Sequence, residues 1–123
     1  MNSADSPATG LSTEEHGTTV VVRVTGEIDM SNSDALLDRC VEVLDAEAGA
    51  LVIDLSGVTF FASSGIAALG HVRSHNASLG GRPVHVVVGR PVRRALELVA
   101  MDKLLPLHDT REDALAAVGE DTA

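Results

Sequence analysis

Ser63 and Ser64 stand side by side in FFASSGIAAL, just before Ile66, Leu69 and Val72 recur at helical spacing. A hydroxyl in the first turn of a helix meets backbone N–H groups without internal partners and the positive end of the dipole, so the position tolerates an anion. Three chemistries are open to it. A serine there can cap the helix by accepting an N–H hydrogen bond, and a pair of serines needs no other reason. It can be a phosphoacceptor, exposed on a strand-to-helix turn where about two extra negative charges would land. It can be a nucleophile, because Ser63, Asp102 and His108 follow the chain order of an α/β-hydrolase triad. The last is the weakest reading: the elbow motif G-x-S-x-G needs glycine where Phe61 stands, and a chain this short leaves little room for a pocket. With 18 acids and five histidines, an Asp and a His downstream are expected by chance.

Other reactive side chains favour structural roles. His71 and His75 lie four apart on the same helix, a spacing that can bring two imidazoles to one metal. Two ligands are too few, and no carboxylate stands between them or within one turn, so a solvated face is the better reading. His85 falls in a strand, and His16 and His108 in loops, with no partner evident. Asp54 interrupts the apolar run LVIDL, where an unpaired carboxylate is expensive, so it must find donors. A hydrogen-bonded turn with Ser56 and Gly57, shaping the approach to Ser63, supplies them. Gly26-Glu27-Ile28-Asp29 ends another strand and can bring polar groups to the same sheet edge as Ser63, the edge where ligands and partners of open α/β sheets sit. Arg82, Arg90, Arg93 and Arg94 form the one basic cluster, read as a solvated face with an acidic partner or phosphate contact as the alternative. Cys40 lies on an apolar stripe and reads as a small buried side chain.

The rest of the composition narrows the function. Nine Lys and Arg against 18 Asp and Glu give a formal charge of −9, the wrong sign for nucleic acid or an anionic membrane surface. Trp and Tyr are absent and the two phenylalanines, Phe60 and Phe61, are adjacent, so no aromatic platform for bases can be assembled. One cysteine excludes an internal disulfide and a multi-cysteine metal site, and fits a reducing compartment. No apolar run approaches the roughly 18 residues of a bilayer span, and residues 1–10 carry no basic or apolar targeting block. A cytoplasmic protein without cofactor or metal is expected.

Positioning these groups takes one domain, which is the scale of 123 residues. Residues 1–10 and 119–123 are small and polar and are expected to fray, leaving a domain over 11–118. Val20–Val24, Leu51–Leu55 and Val84–Val88 are apolar at nearly every position, as in strands covered on both faces. Weaker strands are expected near Leu11–Glu15 and Leu104–Leu107. Ser31-Asn32-Ser33-Asp34 offers caps for a helix with apolar residues at 36, 37, 40, 41 and 44. The chain should turn at Ser56-Gly57 before the Ser63 helix, which Gly80-Gly81 stops. Pro91 opens a third helix along Val92, Ala95, Leu96 and Val99, and Thr110 with Asp113 caps a fourth. The alternation is α/β.

GEIDMSN at 26–32, LVIDLSGVTFFASSGIAAL at 51–69 and GRPVRRALELVAMDKLL at 89–105 together resemble the STAS domain of anti-sigma factor antagonists, over about residues 11–118. The middle segment is the specific one. The resemblance implies a mixed, mostly parallel sheet of four to five strands, about four helices largely on one side, and an antiparallel strand near 11–16. It implies a non-enzymatic module that binds an anti-sigma factor with serine kinase activity and frees its sigma factor. Phosphorylation at the position of Ser63 switches such a protein off, and a metal-dependent serine phosphatase restores it. The partner surface carried over comprises Asp29, Ser31, Asn32, Phe61, Ala62, Ser63, Ser64, Gly65 and Ile66. The family's usual motif places an acid directly before the phosphoacceptor, where this chain has Ala62. Ser63 as acceptor, Ser64 in its place, and an antagonist that is never phosphorylated therefore all remain open, in that order. A STAS subunit of a transport or lipid-trafficking assembly is the alternative function.

Overall fold

A computed structural model describes residues 10–46 and 49–121. Its elements are β1 (Gly10–His16), β2 (Thr19–Ile28), α1 (Ser33–Asp45), β3 (Ala50–Phe61), α2 (Ser63–Ser78), β4 (His85–Val88), α3 (Arg90–Leu98), β5 (Leu107–His108) and α4 (Arg111–Asp121). The strands lie in chain order, β1-β2-β3-β4-β5, with β1 antiparallel to β2 and all later pairs parallel. The hairpin closes through Gly17 and Thr18, with Gly17 at φ 63°, a backbone angle that glycine reaches without penalty.

This order decides where the helices go. Strand-to-strand crossovers in parallel sheets are right-handed, and every step from β2 to β5 moves the same way, so α1, α2 and α3 must share one face. Leu36 and Cys40 of α1, Leu69 and Val72 of α2, and Val92 and Leu96 of α3 pack there against Val22, Ile53, Leu55 and Val86. Burial pushes the Cys40 thiol up to about 12, which leaves it an inert core group. After β5 the chain crosses to the back, where Ala114 and Val118 of α4 cover Val21, Val52 and Val87. Thr110 does cap α4: its Oγ1 accepts the Asp113 N–H at 3.0 Å. Thr110→Ala is expected to cost about 1 kcal/mol, read as a lower thermal midpoint by circular dichroism.

Several expectations change. The chain does not turn at Ser56-Gly57; β3 continues to Phe61, and its register against β2 shifts between Arg23 and Thr25 and again between Gly26 and Glu27. Such bulges absorb residues that read as a turn. The last strand is only Leu107–His108, preceded by a 3-10 turn at Met101–Lys103. Gly10 belongs to β1 and residues 119–121 to α4, so the expected frayed ends are shorter; residues 1–9 and 122–123 lie outside the described residues. At α1, Asn32 is the N-cap residue but makes no capping side-chain bond; its side chain is used in the preceding loop.

Candidate functional site

The carboxyl ends of β2 and β3 carry the site. Ala62 N–H donates to the Ile28 carbonyl at 2.9 Å, which fastens the start of α2 to the end of β2. Ala62 is the N-cap residue in an extended conformation, with no side-chain cap and no acid in the first turn of α2. Ser63 is the first helical residue and is exposed. The capping role is therefore not what either serine performs. The Ser64 hydroxyl is buried and finds no partner, so the two adjacent serines are inequivalent: Ser63 can be reached by an enzyme, and Ser64 cannot in this conformation.

The neighbouring loop is tied to itself. One Asp29 carboxylate oxygen accepts from Ser31 N–H at 2.9 Å and from Ser31 Oγ at 2.5 Å. These bonds hold the Asp29 carboxyl below its ordinary value. Asn32 Oδ1 accepts the Asp29 N–H at 2.9 Å while its Nδ2 donates to the Glu27 carbonyl at 2.8 Å. The residues expected to cap α1 thus rigidify the loop beside Ser63. At its tip Met30 is 86% exposed, a large apolar side chain that sequence reasoning passed over.

Of the expected partner-surface residues, Phe61 and Gly65 are buried and pack against each other at the start of α2. Phe60 is the exposed aromatic instead. Gly65 is required by close approach: a Cβ there would lie 2.9 Å from Ile28 Cγ2 and 2.9 Å from two Phe61 ring carbons. Gly65→Ala is expected to lower stability by about 1 to 3 kcal/mol, since the buried ring or the helix must move. A thermal midpoint equal to that of the wild type would refute this contact. Asp29, Ser31, Asn32, Ala62, Ser63 and the half-buried Ile66 remain around the opening of α2.

The other candidates are dispersed. His108 bonds His85, and neither Ser63 nor Asp102 hydrogen-bonds to it, so the triad order in sequence corresponds to no triad in space. His75 lies 2.7 Å from Asp45 of α1, whereas His71 stays exposed. Among the described residues no group of three or more His, Cys, Asp or Glu could hold a metal ion. Arg93 pairs with Asp109 at 2.9 Å, Arg82 donates to the Gly49 carbonyl, and Arg90 and Arg94 are exposed.

Asp54 finds its donors, though not in a turn. One oxygen accepts Ser56 N–H at 2.9 Å and Ser56 Oγ at 2.7 Å, and the other takes Arg111 Nη2 at 3.1 Å. Arg111, the first residue of α4, also reaches Glu14 on β1 at 2.7 Å. Burial works to raise the Asp54 carboxyl, but the bonds from Ser56 and Arg111 outweigh it and leave it lowered. This cluster lies under α4 on the back face. It stabilises the scaffold and has no part in the approach to Ser63.

The model of the STAS domain matches residues 11–114. The chain belongs to the STAS domain family. Its relatives within that family include the anti-sigma-F factor antagonist RsfB of Mycobacterium tuberculosis, 35% identical over 104 residues, covering 85% of this chain and 84% of that protein. An anti-sigma F factor antagonist of Paenibacillus polymyxa is 30% identical over 106 residues, covering 83% of this chain and 88% of its own. The crystal structure of an anti-sigma factor antagonist from Mycobacterium paratuberculosis superposes with a TM-score of 0.83 at 38% identity, covering 90% of this chain and 94% of that one. This STAS domain therefore has the five-stranded mixed sheet and four helices expected of it.

Proposed function

We propose that this STAS protein is an anti-sigma factor antagonist. It binds an anti-sigma factor that carries serine kinase activity, releases the sigma factor, and is switched off when Ser63 is phosphorylated. The observation that carries the reading is the exposed Ser63 hydroxyl at the uncapped start of α2, beside the braced Asp29–Asn32 loop. Relatives at 35% and 30% identity that bear the antagonist name support the choice of partner. The protein acts by binding in the cytoplasm, performs no reaction of its own, and needs no cofactor, nucleic acid or membrane contact.

The chemistry of the switch follows from the surface. A binding interface closes over Ser63 and desolvates it; a phosphate there brings about two negative charges that must be stripped of water or matched by new cations. Each 1.4 kcal/mol of such cost is about tenfold in affinity, so one phosphate dissolves the complex. A metal-dependent serine phosphatase reverses the change. Ser63 takes the role before Ser64 because the Ser64 oxygen is buried.

The deciding experiment incubates the protein with candidate anti-sigma kinases and ATP, maps the modified residue by mass spectrometry, and measures complex formation beforehand. Binding by the wild type and by Ser63→Ala, with phosphate found on Ser63 alone, is the expected result. The proposal fails if neither form binds any anti-sigma factor. Recovery of transport ATPase components in a pull-down, without sigma regulators, would assign the protein to the other branch of the family.

A further inference from the structure

We propose that His85, His108 and Asp121 form a latch that holds the end of α4 on the back of the sheet and releases it in mildly acidic solution. His85 of β4 is only 4% exposed. Its Nε2 lies 2.6 Å from Asp121 Oδ2, and its Nδ1 lies 2.9 Å from Nε2 of His108 on β5. The two ring centroids are 5.0 Å apart.

The geometry limits how many protons the closed latch can hold. With both rings neutral, His85 donates through Nε2–H to Asp121 and accepts at Nδ1 the Nε2–H of His108, so every facing atom is satisfied. One added proton is also accommodated: His85 becomes a cation against Asp121 and donates from Nδ1, and His108 shifts its own hydrogen to Nδ1 and accepts. A second proton has no place. Two N–H groups would then point at each other across 2.9 Å, with a positive charge on each ring and no acceptor between them. Once α4 lifts, water solvates both rings and can accept from every ring N–H, so each ring can hold its own proton. The open form therefore binds one proton more than the closed form, and acid favours opening.

The surroundings point the same way. Burial first, then His85, holds His108 below its ordinary value. Among the other charged groups that face it, Asp113 of α4 and Asp109 of the preceding turn favour its cation and Arg93 of α3 opposes it. Arg93 is itself paired with Asp109. A histidine lowered in this way adds stability above about pH 6.5 and loses it as pH falls below that value. Glu14 and Asp54, held low by Arg111, also respond to acid, so a whole-molecule melt mixes several contributions and a local readout is needed.

The test is amide hydrogen exchange on the full chain, expressed as protection factors corrected for intrinsic rate, at about pH 7.5 and about pH 5. Protection across residues 112–121 is expected to fall about tenfold relative to β2 and β3 on acidification. His108→Gln keeps a donor for His85 Nδ1 but removes the second ring that would need a proton, and its α4 protection should not fall on acidification. Asp121→Asn removes the anion that supports the first proton and should move release to higher pH. Unchanged α4 protection in the wild type, or an undiminished acid loss in His108→Gln, would overturn the latch. Should His108→Gln fail to fold, Asp121→Asn decides: release at higher pH supports the latch, and an unmoved profile refutes it.

Discussion

Ser63→Asp is expected to weaken association with the cognate anti-sigma factor by at least about a hundredfold, measured by isothermal titration, while Ser63→Ala stays within about threefold of the wild type. The asymmetry separates charge from the loss of a hydroxyl. Ser63 stands exposed where α2 begins without cap or acid, and Asp29 already places a carboxylate in the adjoining loop. A second anion in the closed interface would have to be desolvated close to the first. The same substitution should leave the fold intact and raise its stability slightly, by about 0.3 to 1 kcal/mol, because a carboxylate in the first turn opposes the helix dipole. Lost binding in a protein that melts no earlier than the wild type is the pattern to look for. Equal affinity of Ser63→Asp and wild type would end the phosphorylation reading while leaving the binding reading to be judged by the wild type alone.

Arg111→Met carries the largest expected effect on stability, a loss of about 2 to 3 kcal/mol, or about 10 °C in thermal midpoint. Removing the guanidinium strands the buried Asp54 carboxylate with Ser56 alone and also releases Glu14. The pH dependence has a definite sign. Asp54 and Glu14 both have lowered carboxyls, so their contribution is present above the ordinary carboxylate value of about 4 and disappears as pH falls through the folded value. The gap between wild type and Arg111→Met should therefore be widest near neutrality and close in acid. Melts that differ by the same amount at about pH 7 and about pH 3 would refute the pairing. Adding Asp54→Asn to Arg111→Met should recover part of the loss, because the stranded charge is gone.

The front of the molecule was legible because its signals are local. Leu36 and Cys40, Leu69 and Val72, and Val92 and Leu96 repeat at helical spacing; on the back, Thr110 and Asp113, three apart, mark the start of α4 in the same local way. Signals that were local but ambiguous misled. Ser56-Gly57 reads as a turn, yet two register shifts let β3 run through it, and Asn32 reads as a cap although its amide braces a loop. Phe60 and Phe61 are indistinguishable as neighbours in a sequence; the pleat sends one to solvent and the other beneath Gly65. Ser63 and Ser64 divide in the same way. The distant side-chain pairs left no trace: Arg111 meets Asp54 from 57 residues away, and His85 meets Asp121 from 36.

A strand order that repeats the chain order also bears on how the protein is born. Each parallel strand docks against the one made just before it, so a nascent chain leaving the ribosome never waits for a distant partner to extend its sheet. The exception comes last. Arg111 grips Glu14 across 97 residues, and only when α4 has emerged can the first hairpin and the final helix be clamped together. Synthesis from the amino terminus therefore builds Val21, Val52 and Val87 into the sheet before α4 has emerged to pack on them, and truncations that remove α4 should yield chains that chaperones retain.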